Sequence, residues 1–292
     1  MSVFNVAELL LLATVWGGSF LFMRIAAPVL GPVWLIELRV LIAGLTLLPI
    51  LVRLDLWREV RRHWRSLLVV GGINSALPFS LLAFASVSLP AGFTAILNAT
   101  APLFGTIVAF LWLKEQLTPT RIIGFILGFL GVIILIGWKL VELTPAFVVA
   151  SLAGLLAAFA YGIAAPYIKQ KLAGVPSLAI TVGSQLGAAL LLLPALPFTI
   201  PSKPITLSIW IAVQSLALLS TALAYLLYFR LIRTIGSTKA LTVTYLIPVF
   251  AMVWGLLFLN EPITSSMILG CGLILLGTAI ANDLFAKGGF NA

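Results

Sequence analysis

Runs of about twenty apolar residues, separated by short polar or Pro/Gly breaks, recur along the whole of this 292-residue sequence. A helix rises about 1.5 Å per residue, so a run of this length crosses a hydrocarbon core of about 30 Å. Within lipid, such runs satisfy their backbone polar groups as helices. The pattern predicts ten membrane-spanning helices, at roughly 6–28, 32–52, 66–88, 92–113, 119–138, 146–168, 176–197, 206–230, 238–259 and 264–284.

The composition agrees with an all-α membrane protein. Hydrophobic residues make up 62% of the chain and charged residues 9%, whereas soluble domains average about 45–50% and about 25%. The single Cys and single His exclude an internal disulfide and a His-based metal site, and no cofactor is expected. The net charge of +9 does not indicate nucleic-acid binding, because the basic residues lie between the apolar runs.

The distribution of cations predicts the orientation in the membrane. Ten helices place both termini on one side, and thirteen Lys and Arg residues fall on that side. The other side receives Arg24, Lys139 and Lys203. Since cations stay on the cytoplasmic side, we expect a multi-pass protein of the cell inner membrane with both termini in the cytoplasm. The first run has no basic residue before Arg24, so we expect a retained helix rather than a signal peptide.

The second half of the chain repeats the first. Aligning Pro102 with Pro248 gives an ungapped offset of 146 residues, and the halves are 1–140 and 141–292. The equivalent pairs include Phe104 with Phe250, Glu115 with Glu261, Gly124 with Gly270, Gly131 with Gly277 and, at an offset of 145, Trp16 with Tyr161 and Arg24 with Lys169. Five helices per half force the second copy to enter the membrane from the opposite side, which predicts an inverted repeat.

At these residues the sequence resembles the EamA type of the drug/metabolite transporter superfamily. The resemblance is carried by LLATVWGGSFLFMRIA, LRVLIAGLTLLP, the long run from Ala76 to Leu135, and the second copy LTVTYLIPVFAMVWGLLFLNEPITSSMILGCGLILLGTAI. It implies two five-helix halves and a secondary transporter that exports a small molecule by alternating access. Length and aromatic content resemble the bacterial branch that exports aromatic and other neutral amino acids.

Polar, aromatic and proline residues inside the apolar runs are the candidates for a substrate cavity between the halves. A polar group facing lipid is costly, so we expect these side chains to face inward, either as a site or as bonds between helices. Arg39 is predicted to bond helix-end carbonyls or a substrate carboxylate. The candidates are Trp16, Phe20, Arg39, Asn74, Phe79, Asn98, Pro102, Tyr161, Gln185, Tyr225, Thr244 and Pro248.

Two prolines stand out because they occupy equivalent positions. Pro102 and Pro248 each remove the backbone bond to the carbonyl four residues earlier. These carbonyls belong to Asn98 and Thr244, whose side chains are also polar. We expect each position to offer a carbonyl and a polar side chain to a substrate ammonium or hydroxyl.

Two other functions stay open at this point. A lipid or glycolipid flippase would need a cavity that opens sideways to lipid. A membrane-embedded enzyme is the weaker alternative, because the apolar runs contain no His and the eight acids form no paired carboxylates at metal spacing. The substrate, its coupling to protons and the oligomeric state do not follow from the sequence.

Overall fold

The computed structural model describes residues 2–114, 116–137 and 144–282, and these residues form helices, turns and connecting segments. Nine of the described helices are long and apolar enough to cross a membrane, and a tenth apolar helix has 17 residues. The ten helices are α1 Val3–Leu30, α2 Pro32–Arg53, α3 Trp64–Ser88, α4 Ala91–Leu113, α5 Pro119–Gly137, α6 Pro145–Lys171, α7 Ser177–Phe198, α8 Leu207–Ile235, α9 Lys239–Leu259 and α10 Ser265–Ala281.

Each of these helices corresponds to one of the predicted runs. The largest difference is in α8, which extends to Ile235 rather than 230. A short helix that was not predicted, Trp57–Arg62, lies between α2 and α3 and carries three of the chain's arginines. The predicted run ends at 138 and 284, together with Glu115 and Lys139, lie outside the described residues.

Helices α5 and α10 pack against each other in antiparallel directions. A Cβ atom on Gly277 would lie 2.5 Å from the carbonyl oxygen of Gly124, and one on Gly131 would lie 2.8 Å from that of Gly270. Moving seven residues forward along α5, from Gly124 to Gly131, therefore corresponds to moving seven residues back along α10, from Gly277 to Gly270. Such close backbone approach requires residues without a side chain. The fifth helices of the two halves thus run in the opposed directions that an inverted repeat demands.

The first helix of each half packs onto the fourth helix of the other half. In α1, Gly17 lies against Phe250 and Ala251 of α9. In α6, the equivalent Gly162 lies against Phe104 and Gly105 of α4. The same small-residue contact is therefore made twice, once from each half, and it interlocks the two repeats.

Equivalent π-helical segments interrupt α3 and α8, and neither was predicted. They span Gly72–Ala76 and Ser215–Leu223, which overlap when the repeats are superposed in sequence. A π segment adds a residue to the turn and redirects side chains, and such segments are frequent at functional sites. Asn74 and Ser220, which are equivalent residues, both reach the central cavity from these segments.

The two equivalent prolines differ in their local structure. Helix α4 is broken after Asn98, and Pro102 lies in the first turn of the helix that follows. Helix α9 instead stays helical through Pro248, and its interruption is a turn at Thr242. The two equivalent prolines therefore have different local structures, because a helix in the membrane tolerates Pro when its freed carbonyl is accommodated nearby.

Candidate functional site

A cavity of about 840 Å³ lies between the two halves. It is bounded by residues of both repeats, from α1 to α4 on one side and from α6 to α10 on the other. Its volume is within the range of sites for small molecules. Eleven of the twelve predicted residues line it, namely Trp16, Phe20, Arg39, Asn74, Phe79, Asn98, Pro102, Tyr161, Tyr225, Thr244 and Pro248.

Gln185 is the predicted residue that the structure does not bring to the cavity. Its side chain is fully buried in α7, and its Nε2 donates a hydrogen bond to Ser75 Oγ at 3.2 Å. This bond joins α7 to α3 behind the cavity wall. For Gln185 the structure shows the other of the two predicted roles, a bond between helices, in which Ser75 supplies the acceptor for its Nε2.

Aromatic side chains form much of the cavity wall. Trp16 packs edge-on against Tyr225 with ring centroids 6.5 Å apart, and Tyr228 lies 5.2 Å from the same indole. On the other side, Phe79 and Tyr161 form an edge-to-face pair at 6.3 Å. Rings in these arrangements offer flat apolar surface together with hydroxyl groups. The wall therefore suits the apolar body of a ligand.

Arg39 brings a buried guanidinium to the cavity. The residue is 4% exposed, and its Nε donates to Thr221 Oγ1 at 3.0 Å. The guanidinium carbon Cζ lies over the ring of Phe79, 3.7 Å from its centroid. The hydroxyl of Thr221 in turn donates to the carbonyl oxygen of Leu216, inside the π segment of α8. Two helices of opposite halves therefore fix one cation at the cavity surface.

The polar residues before the two prolines have different environments. The Oδ1 atom of Asn98 is buried and has no hydrogen-bond partner among the described residues. Thr244 donates its hydroxyl to the carbonyl oxygen of Leu241 at 2.8 Å. Asn98 thus lines the cavity with an acceptor that is unused but enclosed, whereas the proton of Thr244 is already engaged.

The cavity reaches the helix ends on one side of the protein. Its lining includes Lys169 at the end of α6, Ser177 at the start of α7 and Leu241 near the start of α9. Odd-numbered helices begin and even-numbered helices end on this side, which is also the side of the N-terminus. Toward the opposite side, the lining stops at residues such as Met23 and Leu82. Within the described part of the chain, the lining is exposed on the N-terminal side, at Lys169 and Ser177, and buried on the other, at Met23 and Leu82, so the cavity is open on the first side and closed on the second.

An ion pair between the halves lies at the closed end. Arg24 Nε lies 3.1 Å from Glu261 Oε1, and Arg24 Nη1 donates to the carbonyl oxygens of Ser86 and Val87. The other carboxylate oxygen, Oε2, accepts a hydrogen bond from the backbone N–H of Ala91 at 2.8 Å. One cluster thereby joins the ends of α1, α3, α4 and α9.

Local backbone geometry directs Glu261 into this cluster. Asn260 adopts a left-handed conformation with φ of 52°, which Asn tolerates better than most residues. A Cβ atom on Gly255 would lie 2.5 Å from Glu261 Oε2, so the glycine leaves room for the carboxylate to fold back. The equivalent residue of Asn260 in the first half, Lys114, also has a positive φ, 59°. The turn is therefore repeated in both halves.

Several residues of the site were not predicted. The cavity also contains Ser19, Lys169, Thr181 and Ser220, and the closed end contains Arg24 with Glu261. The repeat aligns Arg24 with Lys169, and this equivalence marks both cations as candidates. It gives no information about what either of them contacts. Among the described residues, no group of three or more His, Cys, Asp or Glu side chains is placed to hold a metal ion.

The EamA-like transporter family model matches this chain twice, over residues 6–137 and 148–282. The chain belongs to that family. The resemblance inferred from the Pro, Phe, Glu and Gly pattern is confirmed at this level, and so is the assignment to membrane transporters.

Two curated relatives of similar length are named as transporters. The uncharacterized transporter YoaV of Bacillus subtilis is 24% identical over 94% of this chain and 94% of its own length. An uncharacterized transporter of Archaeoglobus fulgidus is 26% identical over 93% of this chain and 96% of its own. A further relative, protein PecM of Dickeya dadantii, is 26% identical over 92% of this chain and 89% of its own.

A solved crystal structure supports the same fold. It covers 97% of this chain and 98% of its own with a TM-score of 0.66, at 19% sequence identity. Together, these comparisons establish an EamA-type transporter fold over nearly the whole chain.

Proposed function

We propose that the protein is a secondary transporter of the cytoplasmic membrane that exports small amphipathic metabolites, with aromatic and other neutral amino acids as the first candidate class. The observation that carries this proposal is the central cavity, which is built by both repeats and open at one end only. Inverted repeats exchange shapes, so a cavity between them opens to each side in turn. In this proposal the units that exchange shapes are residues 1–140 and 141–292.

The distribution of cations supports the direction of loading. Thirteen Lys and Arg residues against three assign the N-terminal side to the cytoplasm. The open end of the cavity then faces the cytoplasm, where an exporter takes up its substrate. The closed end faces outward.

The chemistry of the lining supports an amphipathic substrate. Trp16, Phe79 and Tyr225 offer apolar surface, while Arg39 offers a cation and Asn98 a polar side chain. A site of this kind binds an apolar body by burial and orients it through a few polar groups.

The ion pair at the closed end supplies a gate for alternating access. For the cavity to open outward, the ends of α1, α3, α4 and α9 must separate, and this breaks the bonds between Arg24 and its partners. Arg24 and Glu261 also make hydrogen bonds to backbone groups of α3 and α4, so the pair holds the outer end closed. Substrate binding must compensate for the loss of these bonds when the end opens.

Counterflow in proteoliposomes tests the function. Vesicles that contain the purified protein and excess unlabelled L-phenylalanine are expected to accumulate labelled L-phenylalanine transiently, because a carrier exchanges substrate in both directions. Vesicles without protein serve as the control. The proposal fails if a panel of aromatic and neutral amino acids and their carboxylate analogues shows no exchange above this control.

A further inference from the structure

The charges that line the cavity are all positive. Among the described residues, Arg39 and Lys169 are its charged members, and neither Asp nor Glu reaches it. Lys169 lies at the open end, where water is near, whereas Arg39 is 4% exposed. A buried cation without a counter-ion is costly in a membrane. The deep part of the site is therefore electrostatically incomplete.

Arg39 retains hydrogen-bond donors that nothing in the described protein uses. A guanidinium has five N–H donors, and Nε gives its one to Thr221. Neither terminal nitrogen has an acceptor within hydrogen-bond distance among the described residues, and neither is a fully enclosed atom. Phe79 covers one face of the guanidinium plane. Arg39 lines the cavity, so these unused donors are available to a ligand carboxylate, which a guanidinium can bind through two bonds.

The nearest acid in sequence does not serve as the counter-ion. Glu37 precedes Arg39 by two residues, which turns its side chain about 200° around the helix axis. Glu37 is 3% exposed, and neither of its carboxylate oxygens has a hydrogen-bond partner among the described residues. The ion pairs of the described chain do not include Arg39. Arg39 therefore has no ion-pair partner among the described residues, and the carboxylate of a ligand would supply one.

We propose that the cavity selects its substrate by a carboxylate bound to Arg39 and does not require an ammonium group. The substrate class then extends from aromatic amino acids to aromatic monocarboxylates that lack an amine. The positive charge of Arg39 would oppose an ammonium, and the described lining offers it no carboxylate. This inference rests on the proposed function and narrows its substrate class.

A matched ligand series on the purified full chain tests the inference. The probes are 3-phenylpropionate, L-phenylalanine, phenylalaninamide and phenethylamine, each titrated while the thermal unfolding of the protein is measured. We expect 3-phenylpropionate to bind at least as tightly as L-phenylalanine. Both should bind about tenfold or more tightly than the amide and the amine, because hydrogen bonds to charged groups contribute that much.

Variants assign the preference to Arg39. Arg39→Gln should reduce affinity for the two acids to that of the amide, and Arg39→Lys should retain part of the preference, since it keeps the charge without the fork. If Arg39→Gln does not fold, Thr221→Val replaces it in the test. This variant frees Nε and should weaken binding of the acids. The control is Arg58→Gln, whose side chain is 86% exposed outside the cavity and which should bind like the wild type.

Failure of this inference can be told from failure of the proposed function. If wild-type protein binds acid and amide with equal affinity, or if Arg39→Gln keeps the preference, the carboxylate site is wrong while the transporter proposal stands. If none of the four probes binds and counterflow is also absent, the amphipathic substrate class is wrong as well.

Discussion

Replacing Arg24 with Ala is expected to open the closed end of the cavity to the outer face of the membrane. The substitution removes three hydrogen bonds and leaves Glu261, whose side chain is 13% exposed, without its cation. Losing one partner of such a pair costs about 2 kcal/mol or more, which is about thirtyfold in the ratio of open to closed states. Leu82→Cys, at the closed end of the lining, reports this change when Cys271 has been replaced by Ala.

The measurement is the rate at which a membrane-impermeant maleimide modifies Leu82→Cys from the outer face. The rate should rise in Arg24→Ala and rise less in Arg24→Lys, which keeps the ion pair. Lys203→Ala is the control, because Lys203 lies on the same face and donates to the carbonyl of Pro28 outside the gate. An unchanged rate in Arg24→Ala would show that the ion pair does not hold this end closed.

Replacing Gly277 with Leu is expected to prevent the protein from folding. The new side chain would meet the backbone of α5, with its Cβ 2.5 Å from the carbonyl oxygen of Gly124 and 2.8 Å from Gly128 Cα. Backbone atoms in a packed helix cannot move aside as a flexible side chain does. Even Gly277→Ala should lower the free energy of unfolding by about 2 kcal/mol or more.

The matched control for this substitution lies on the same helix. Gly272 is exposed, and a Cβ atom added to it would meet no heavy atom within 4 Å, so Gly272→Leu should leave folding intact. Size-exclusion chromatography in detergent and thermal unfolding compare the variants. If Gly277→Leu and Gly272→Leu behave alike, the close antiparallel packing of α5 on α10 is wrong.

The helices were predictable because lipid permits few alternatives. An apolar run of about twenty residues must satisfy its backbone internally, and this fixes helix type, number and approximate ends. The antiparallel packing of Gly124 on Gly277 likewise agrees with an odd number of helices per repeat. In contrast, the π segments at Gly72–Ala76 and Ser215–Leu223 leave no trace in hydrophobicity, because an extra residue in one turn does not change the apolar pattern.

The cavity residues were predictable from the cost of placing polar groups in lipid. Arg39, Asn74 and Asn98 had to face inward, but that reasoning does not distinguish a cavity from a helix contact. Gln185 shows the difference, since its amide meets Ser75 rather than open space.

The ion pair of the gate could not be predicted from the sequence repeat. Arg24 and Glu261 are 237 residues apart, and sequence equivalence relates each of them to its counterpart in the other half rather than to one another. Only the packing of α1 on α9 brings them together. Likewise, the turn at Asn260 that directs Glu261 inward depends on a backbone angle.

The most direct test that substrate binds in the central cavity is the modification of a single cysteine in its lining with and without substrate. Ala99→Cys, with Cys271 replaced by Ala, places a small thiol in the lining beside Asn98. Maleimide applied from the cytoplasmic face is expected to modify this thiol, and a saturating concentration of a ligand active in counterflow is expected to slow the reaction several-fold. Ser202→Cys, in an exposed loop on the opposite side, should react at a rate that the ligand does not change. Modification of Ala99→Cys at the same rate with and without such a ligand would show that the substrate binds outside this cavity.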